Sequence, residues 1–191
     1  MTDHTPTPIP VVSIVGKSDS GKTTFLEKLI RAFTARGWRV GTVKHHVHEF
    51  DIDVPGKDSW RHAHAGAFIT MVSSPAQFAS IQRVEREYTL SELAEHAAHA
   101  GADIVLTEGY KSTAAARIEV SRRGRSEELI STPDELVALV TDNAELRPEG
   151  VPVFDLDDAE GVTSLVERLF LGTPAGATAA SMPSAGDVHG D

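Results

Sequence analysis

One short segment carries the residue types that hold a nucleotide phosphate. Residues 16–23 read Gly-Lys-Ser-Asp-Ser-Gly-Lys-Thr and match the pattern G-x-x-x-x-G-K-[ST]. In this pattern the backbone curls until several N–H groups point at one phosphate, while the lysine reaches the β- and γ-phosphate oxygens and the threonine hydroxyl ligates Mg²⁺. The segment therefore predicts a nucleotide-binding loop, the P-loop, whose candidate binding residues are Gly16, Lys17, Ser18, Asp19, Ser20, Gly21, Lys22, Thr23 and Thr24.

A magnesium ion at such a loop needs an acidic partner at the end of a nearby buried strand. Glu108 follows the apolar run 104–106 and is followed by Gly109, so it is the candidate for a second metal residue beside Thr23. A structural salt bridge is the alternative role for Glu108. Asp103 precedes the strand, and its position favours a turn residue.

Histidines and aspartates cluster after the second predicted strand. Five of the nine histidines lie within residues 45–64, and Asp51 and Asp53 share one side of an extended segment. Either aspartate could orient water toward the γ-phosphate, which makes both candidate catalytic residues. His46 and His48 could instead form a transition-metal site with one of these aspartates. Hydrogen bonding of the histidines to phosphates, carbonyls or a second ligand remains open.

Hydrophobic patterning predicts the elements that position these residues. Strands are expected at 11–15, 39–43, 104–106, 136–140 and 151–154, with helices at 25–33, 89–101 and 162–170 and a short helix beginning at 57–61. Residues 68–72 and 77–81 favour a hairpin attached to the parallel sheet. The alternation predicts an α/β fold, a three-layer P-loop NTPase with a mostly parallel sheet plus an antiparallel hairpin extension. Residues 11–171 would form this domain, between flexible tails at 1–10 and 172–191.

Composition excludes several kinds of chemistry. The 191 residues include 28 acidic and 18 basic ones, for a formal net charge of −10, and no cysteine. Disulfides, thiolate zinc sites, iron–sulfur clusters and cysteine nucleophiles are therefore excluded. The pI of 5.3 disfavours a duplex-DNA partner. No apolar run approaches the ~18 residues of a membrane span, and the polar start is unlike a signal peptide. We expect a cytoplasmic protein that binds neither nucleic acid nor membrane.

A long string of residues carries a family resemblance. Residues 50–62 read F-D-I-D-V-P-G-K-D-S-W-R-H, and with the P-loop, residues 44–45 and residues 107–111 they resemble the molybdopterin-guanine dinucleotide biosynthesis adapter protein B (MobB) family. The resemblance covers nearly all of the predicted domain. It implies a GTP-binding homodimer that assists a molybdopterin guanylyltransferase, which joins GMP from GTP to molybdopterin. It implies an accessory factor with weak GTPase activity at most.

The sequence offers several candidate residues for recognition of the guanine base and of partners. The N-K-x-D motif of common GTPases is missing, and Asp142, after the strand 136–140, is the nearest candidate to accept from the guanine N1 and N2 donors; a turn role is equally compatible. By resemblance, Lys17 stands where related dimeric ATPases carry a signature lysine. A local positive region could receive a molybdopterin phosphate or an acidic partner face; it comprises Lys111, Arg117, Arg122, Arg123 and Arg125.

Two other function classes fit parts of the sequence. A metal-insertion GTPase would use the histidine cluster, although the lack of cysteine weakens that interpretation. A small-molecule P-loop kinase would use residues 122–125 as a lid. Without an arginine in the P-loop, the isolated chain is expected to hydrolyse GTP slowly.

Overall fold

The computed structural model describes residues 8–46, 48, 50–110, 116–125 and 128–172. Eight strands are present in this part of the chain. In chain order they are β1 (Val11–Val15), β2 (Val40–Lys44), β3 (Ile69–Ser73), β4 (Phe78–Gln82), β5 (Ile104–Glu108), β6 (Ala116–Ser121), β7 (Leu136–Thr141) and β8 (Val153–Phe154). Most of both predicted tails, at 1–7 and 173–191, lies outside the described residues.

Six of these strands form one parallel sheet in the order β2-β5-β1-β6-β7-β8. The central position of β1 follows from its sequence, since its apolar side chains are covered on both faces. The register aligns Ile14 with Glu108 on one side and with Ile118 on the other. Because all six strands run the same way, the residues that follow β1, β2, β5, β6 and β7 meet at one edge of the sheet.

Helices cover both faces of this sheet and confirm the three-layer α/β prediction. They are α1 (Lys22–Ala35), α2 (Asp58–His64), α3 (Leu90–His99) and α4 (Ala159–Val166). Phe25, Leu29 and Phe33 of α1 are buried together with α4 in the main core, against Ile14 and Ile118 of the sheet. On the opposite face, α3 approaches β2 at Gly41, where a Cβ would lie 3.2 Å from the Cβ of Ala97. The P-loop helix is thus fixed by the largest apolar cluster in the domain.

The antiparallel hairpin is present but stands apart from the main sheet. Strands β3 and β4 pair with each other from Ile69↔Gln82 to Ser73↔Phe78 and form a separate two-stranded sheet. The expectation that the hairpin is attached to the parallel sheet is therefore wrong. Its contacts run instead to α2, and the Arg83 guanidinium donates to the carbonyl of Ala63.

The last helix of the described residues differs in its course from the predicted helix 162–170. The α-helix stops at Val166, and a π-helical turn over Glu167–Leu171 ends at Gly172, whose φ is 71°. Leu169 and Phe170 are consequently exposed instead of lying on the buried face, while Leu171 packs against the core. No helix in the described part of the chain is long and apolar enough to cross a membrane.

Candidate nucleotide-binding site

The P-loop connects the end of β1 to the start of α1 and lies against β6. Gly16 has a φ of 145°, and a Cβ there would stand 2.3 Å from the Val120 carbonyl oxygen and 2.8 Å from the Ser20 hydroxyl oxygen. Only glycine fits so close to the neighbouring strand. Asp19, with a φ of 59°, and Gly21, with a φ of 93°, also turn the loop through left-handed backbone. The motif is therefore folded as a tight loop at the carboxyl edge of the sheet.

The start of α1 is free of side-chain caps. Gly21 is the N-cap residue of this 14-residue helix and, having no side chain, supplies no side-chain cap hydrogen bond. Helix N-termini carry partial positive charge and unsatisfied donors, which is the arrangement that binds phosphate. Lys22 extends back over the loop, where its ammonium donates to the Lys17 carbonyl at 2.7 Å. Lys17, Ser18, Asp19, Thr23 and Thr24 are exposed, whereas Ser20 is buried and its hydroxyl has no partner among the described residues.

Thr23 and Glu108 come together as the sequence predicts. The Thr23 hydroxyl donates to the Glu108 carboxylate, at 2.9 Å from Oε1 and 3.1 Å from Oε2. Glu108 ends β5, the strand beside β1, so the parallel register brings its side chain to the first turn of α1. Two hard oxygen ligands at hydrogen-bond distance beneath a phosphate loop fit a magnesium ion that keeps several waters.

Lys44 is a member of this site that the sequence did not reveal. It ends β2 opposite Glu108 in the parallel register, and its ammonium lies 2.6 Å from Glu108 Oε1. Burial raises the pKa of Glu108, but hydrogen bonds from Lys44 and Thr23 outweigh it and hold the pKa below the ordinary 4.5. Glu108 is therefore a carboxylate at neutral pH. Finding Lys44 needs the strand order, because 64 positions separate it from Glu108 in the chain.

The two candidate catalytic aspartates differ in environment. Asp51 is exposed, whereas Asp53 is partly buried. One oxygen of Asp53 accepts from the Val54 N–H at 2.8 Å, and the other is buried with no hydrogen-bond partner among the described residues. The short helix predicted after them is α2, in which Asp58 and Arg61 pair at 3.6 Å. A role for Asp51 or Asp53 at the γ-phosphate remains a prediction.

The histidines do not assemble a metal centre in the described residues. No three histidine, aspartate or glutamate side chains are grouped there in a way that could hold an ion. His45 pairs with Glu87 at 2.8 Å and lies against the Tyr110 ring, with 4.8 Å between ring centroids. The His46 ring lies 5.9 Å from that of Phe50. The transition-metal hypothesis thus gains no support from the described part of the chain.

Asp142 lies in the loop after β7, where a base-reading residue is expected. Its Oδ1 accepts from the Arg123 N–H at 2.6 Å, which ties the loop after β7 to the loop after β6. This contact has the character of a turn interaction. Guanine recognition by Asp142 stays a prediction. Asp103 binds the Arg39 backbone and guanidinium, as expected of a bracing turn residue.

The residues of the predicted positive region lie in different environments in the structure. Arg117 is only 11% exposed in its side chain and pairs with Glu135 at 2.6 Å, so it does not belong to an open cationic surface. Arg122 instead lies at the P-loop, with a guanidinium nitrogen 3.6 Å from where a Cβ on Gly21 would stand. Arg123 and Arg125 are exposed, and Lys111 lies outside the described residues.

Comparison with known proteins gives the family of this chain. The family model of molybdopterin guanine dinucleotide synthesis protein B (MobB) matches residues 11–142. The molybdopterin-guanine dinucleotide biosynthesis adapter protein of Escherichia coli K12 is 38% identical over 165 residues, which are 84% of this chain and 93% of that protein. The Haemophilus influenzae adapter protein is 35% identical over 70% of this chain and 75% of its own length.

A solved structure gives the same result at the level of the fold. The crystal structure of Bacillus subtilis MobB superposes with a TM-score of 0.66 at 27% identity, covering 86% of this chain and 99% of that one. The family-model match over residues 11–142 spans the P-loop, Lys44, the 50–62 string and Glu108. The chain therefore belongs to the MobB family.

Proposed function

We propose that this protein binds GTP with Mg²⁺ and acts as the adapter of a molybdopterin guanylyltransferase, which converts molybdopterin to its guanine dinucleotide. The observation that carries the nucleotide part is the contact of Thr23 with Glu108 beneath a folded P-loop. The adapter part is supported by membership of a family whose relatives bear that name. The enzymatic partner itself is inferred from the family alone.

Each part of the site has a defined task in this proposal. The N–H groups of the P-loop and of the first turn of α1 bind the phosphates, and the Lys22 ammonium moves from the Lys17 carbonyl to phosphate oxygens. Thr23 and Glu108 would hold the magnesium ion, which would supply positive charge to neutralise the phosphates. Asp142 is the proposed guanine acceptor.

Slow hydrolysis accompanies this role. Asp51 or Asp53 would orient the attacking water, and the partly buried Asp53, with one unpartnered oxygen, is the better placed for a directed interaction. Arg122 supplies a cation near Gly21, at the start of α1. An arginine supplied at the γ-phosphate increases GTPase turnover by about 10³- to 10⁵-fold. We therefore expect fast turnover only when a partner provides such an arginine.

The hairpin supports the proposal that the protein is a homodimer. Met71 and Phe78 lie on one face of it and are 61% and 67% exposed, while Val72 on the other face is 53% exposed. A separate two-stranded sheet of this kind is marginally stable in water by itself. A second copy that covers these apolar side chains would stabilise it. Molybdopterin is proposed as the second small molecule of the assembly.

The proposal is tested first by a GTP titration of the wild-type chain and of Lys22→Ala. The substitution deletes a phosphate-binding charge from a loop, so the variant should stay folded while GTP binds at least about tenfold more weakly. Circular dichroism and the melting temperature provide the folding control. Equal GTP affinity in the two proteins would remove the assignment of this loop to the phosphates.

A further inference from the structure

Two side chains, one polar and one charged, converge on one carboxylate at the end of β5. Glu108 Oε1 receives the Thr23 hydroxyl at 2.9 Å and the Lys44 ammonium at 2.6 Å. The Glu108 side chain is only 8% exposed, whereas that of Lys44 is 49% exposed. The same oxygen that would face the magnesium shell is thus already neutralised by a cation that belongs to the chain.

The backbone on both sides of this ion pair is fixed. Lys44 and Glu108 are aligned partners in the β2–β5 register, and the next residue, His45, donates its N–H to the Glu108 carbonyl at 3.0 Å. Movement of the ammonium therefore requires only rotation of a half-exposed, flexible lysine side chain. No strand or loop has to shift for Glu108 to change partners.

We propose that Lys44 is an internal counter-ion of Glu108 that exchanges with magnesium, and that it sets how strongly GTP binding depends on the ion. This inference rests on the proposed function. An ammonium at 2.6 Å and a divalent cation cannot share one carboxylate oxygen without strong like-charge repulsion. Lys44 accordingly leaves Glu108 when the ion binds.

The exchange affects the affinity for GTP both without and with magnesium. Without magnesium, Lys44 shields the phosphates of GTP from the Glu108 charge, so the chain keeps measurable affinity for the free nucleotide. When magnesium binds, the displacement of Lys44 from Glu108 reduces the net binding free energy of the ion. Removing Lys44 should weaken GTP binding in the ion-free state. With magnesium bound, Lys44 has already left Glu108, so its removal should change GTP affinity less. The factor by which magnesium increases GTP affinity should therefore rise.

The test is isothermal titration of GTP into the full chain, once in EDTA and once in excess MgCl₂. We expect the ratio of the two dissociation constants to be at least about fivefold larger in Lys44→Met than in the wild type, a change of about 1 kcal/mol in coupling. Lys44→Gln can still donate a hydrogen bond to Glu108 without carrying a charge, and it should raise the ratio as Lys44→Met does. It replaces Lys44→Met in the test if that variant does not fold. Lys44→Arg should restore a ratio near that of the wild type.

A matched control separates local from general charge effects. Lys28 is also a lysine, but its ammonium binds the Leu156 carbonyl and Asp157, away from Glu108. Lys28→Met should leave the ratio unchanged. A ratio in Lys44→Met and Lys44→Gln equal to or below that of the wild type overturns the exchange while leaving GTP binding intact. A wild-type chain that binds no GTP, or binds it without any effect of magnesium, overturns the proposed function and this inference together.

Discussion

Asp142 shows how one residue can serve the fold and still be open to a ligand. Its Oδ1 is engaged by the Arg123 N–H, and an asparagine could accept the same hydrogen bond through its own side-chain oxygen. Asp142→Asn should therefore preserve the loop. It should weaken GTP by about tenfold to a hundredfold, because a neutral amide cannot accept from both guanine donors, and leave ATP nearly unchanged.

Parallel titrations of GTP and ATP into Asp142→Asn measure this difference. The ATP titration serves as the control for the phosphate site, which the substitution does not touch. Equal losses for the two nucleotides would place base recognition at other residues.

At the scale of residues, the sequence predicted the contacts that depend on a motif with fixed spacing. The pairing of Thr23 with Glu108 was predictable because the motif defines the start of α1 and the apolar run 104–106 defines the neighbouring strand end. Lys44 was not predictable, because its role depends on which strand lies beside β5. The burial of Arg117 was also missed, since a charged residue in a strand gives no sign of which face it occupies or of the Glu135 that neutralises it.

The loop between β1 and α1 is the element on which the site most depends. In Gly16→Ala the new methyl group would meet the Val120 carbonyl oxygen at 2.3 Å in a backbone conformation that alanine avoids. We expect a loss of about 3 kcal/mol or more in the free energy of unfolding, together with loss of GTP binding. Urea denaturation and GTP titration measure the two effects.

Gly150→Ala is the matched control for this loop. Gly150 also has a positive φ, of 75°, but nothing lies within 4 Å of a Cβ there. Its substitution should cost only the backbone strain of about 1 kcal/mol and leave GTP binding unchanged. If Gly16→Ala were no more destabilising than Gly150→Ala, the close packing of the P-loop on β6 would be contradicted.

The start of α3 gives a pH-dependent contribution to stability. Glu92 closes a capping box with Thr89, and hydrogen bonds from Arg86 and Thr89 lower its pKa from 4.5 to about 2. Because the pKa is lower in the folded state, the stabilisation is present above about pH 4.5 and is lost as the pH falls toward about 2. The urea midpoint of the wild type should exceed that of Glu92→Gln near neutral pH, and the gap should narrow as the pH falls from about 4.5 toward about 2. A gap that does not change with pH would contradict the charged capping box.

At the scale of elements, the buried strands and capped helices were predicted best. Strands β1, β5 and β7 have apolar runs that favour burial, and the Thr89–Glu92 pattern marks the start of α3. Strand β6 was not predicted, because Arg117 and Glu119 interrupt its apolar pattern. Those two side chains are neutralised within the fold, Arg117 by Glu135 and Glu119 by the N–H groups of Ile130 and Ser131.

The whole molecule combines a P-loop set on the main core with an exposed apolar hairpin. The phosphate loop is set on the main core through α1, while the hairpin β3–β4 leaves large apolar side chains exposed away from the main sheet. Such a surface fits the proposed adapter role, in which the protein acts through another protein.

The most direct test of the account is a reconstituted synthesis of molybdopterin guanine dinucleotide from molybdopterin, GTP, Mg²⁺ and a purified guanylyltransferase. Added wild-type chain should increase formation of the dinucleotide, whereas folded Lys22→Ala at the same concentration should not, because in the proposed function the chain assists the transferase with GTP bound. An increase of equal size with Lys22→Ala, or no increase with the wild-type chain, would contradict the claim that this protein is a GTP-binding adapter of that transferase.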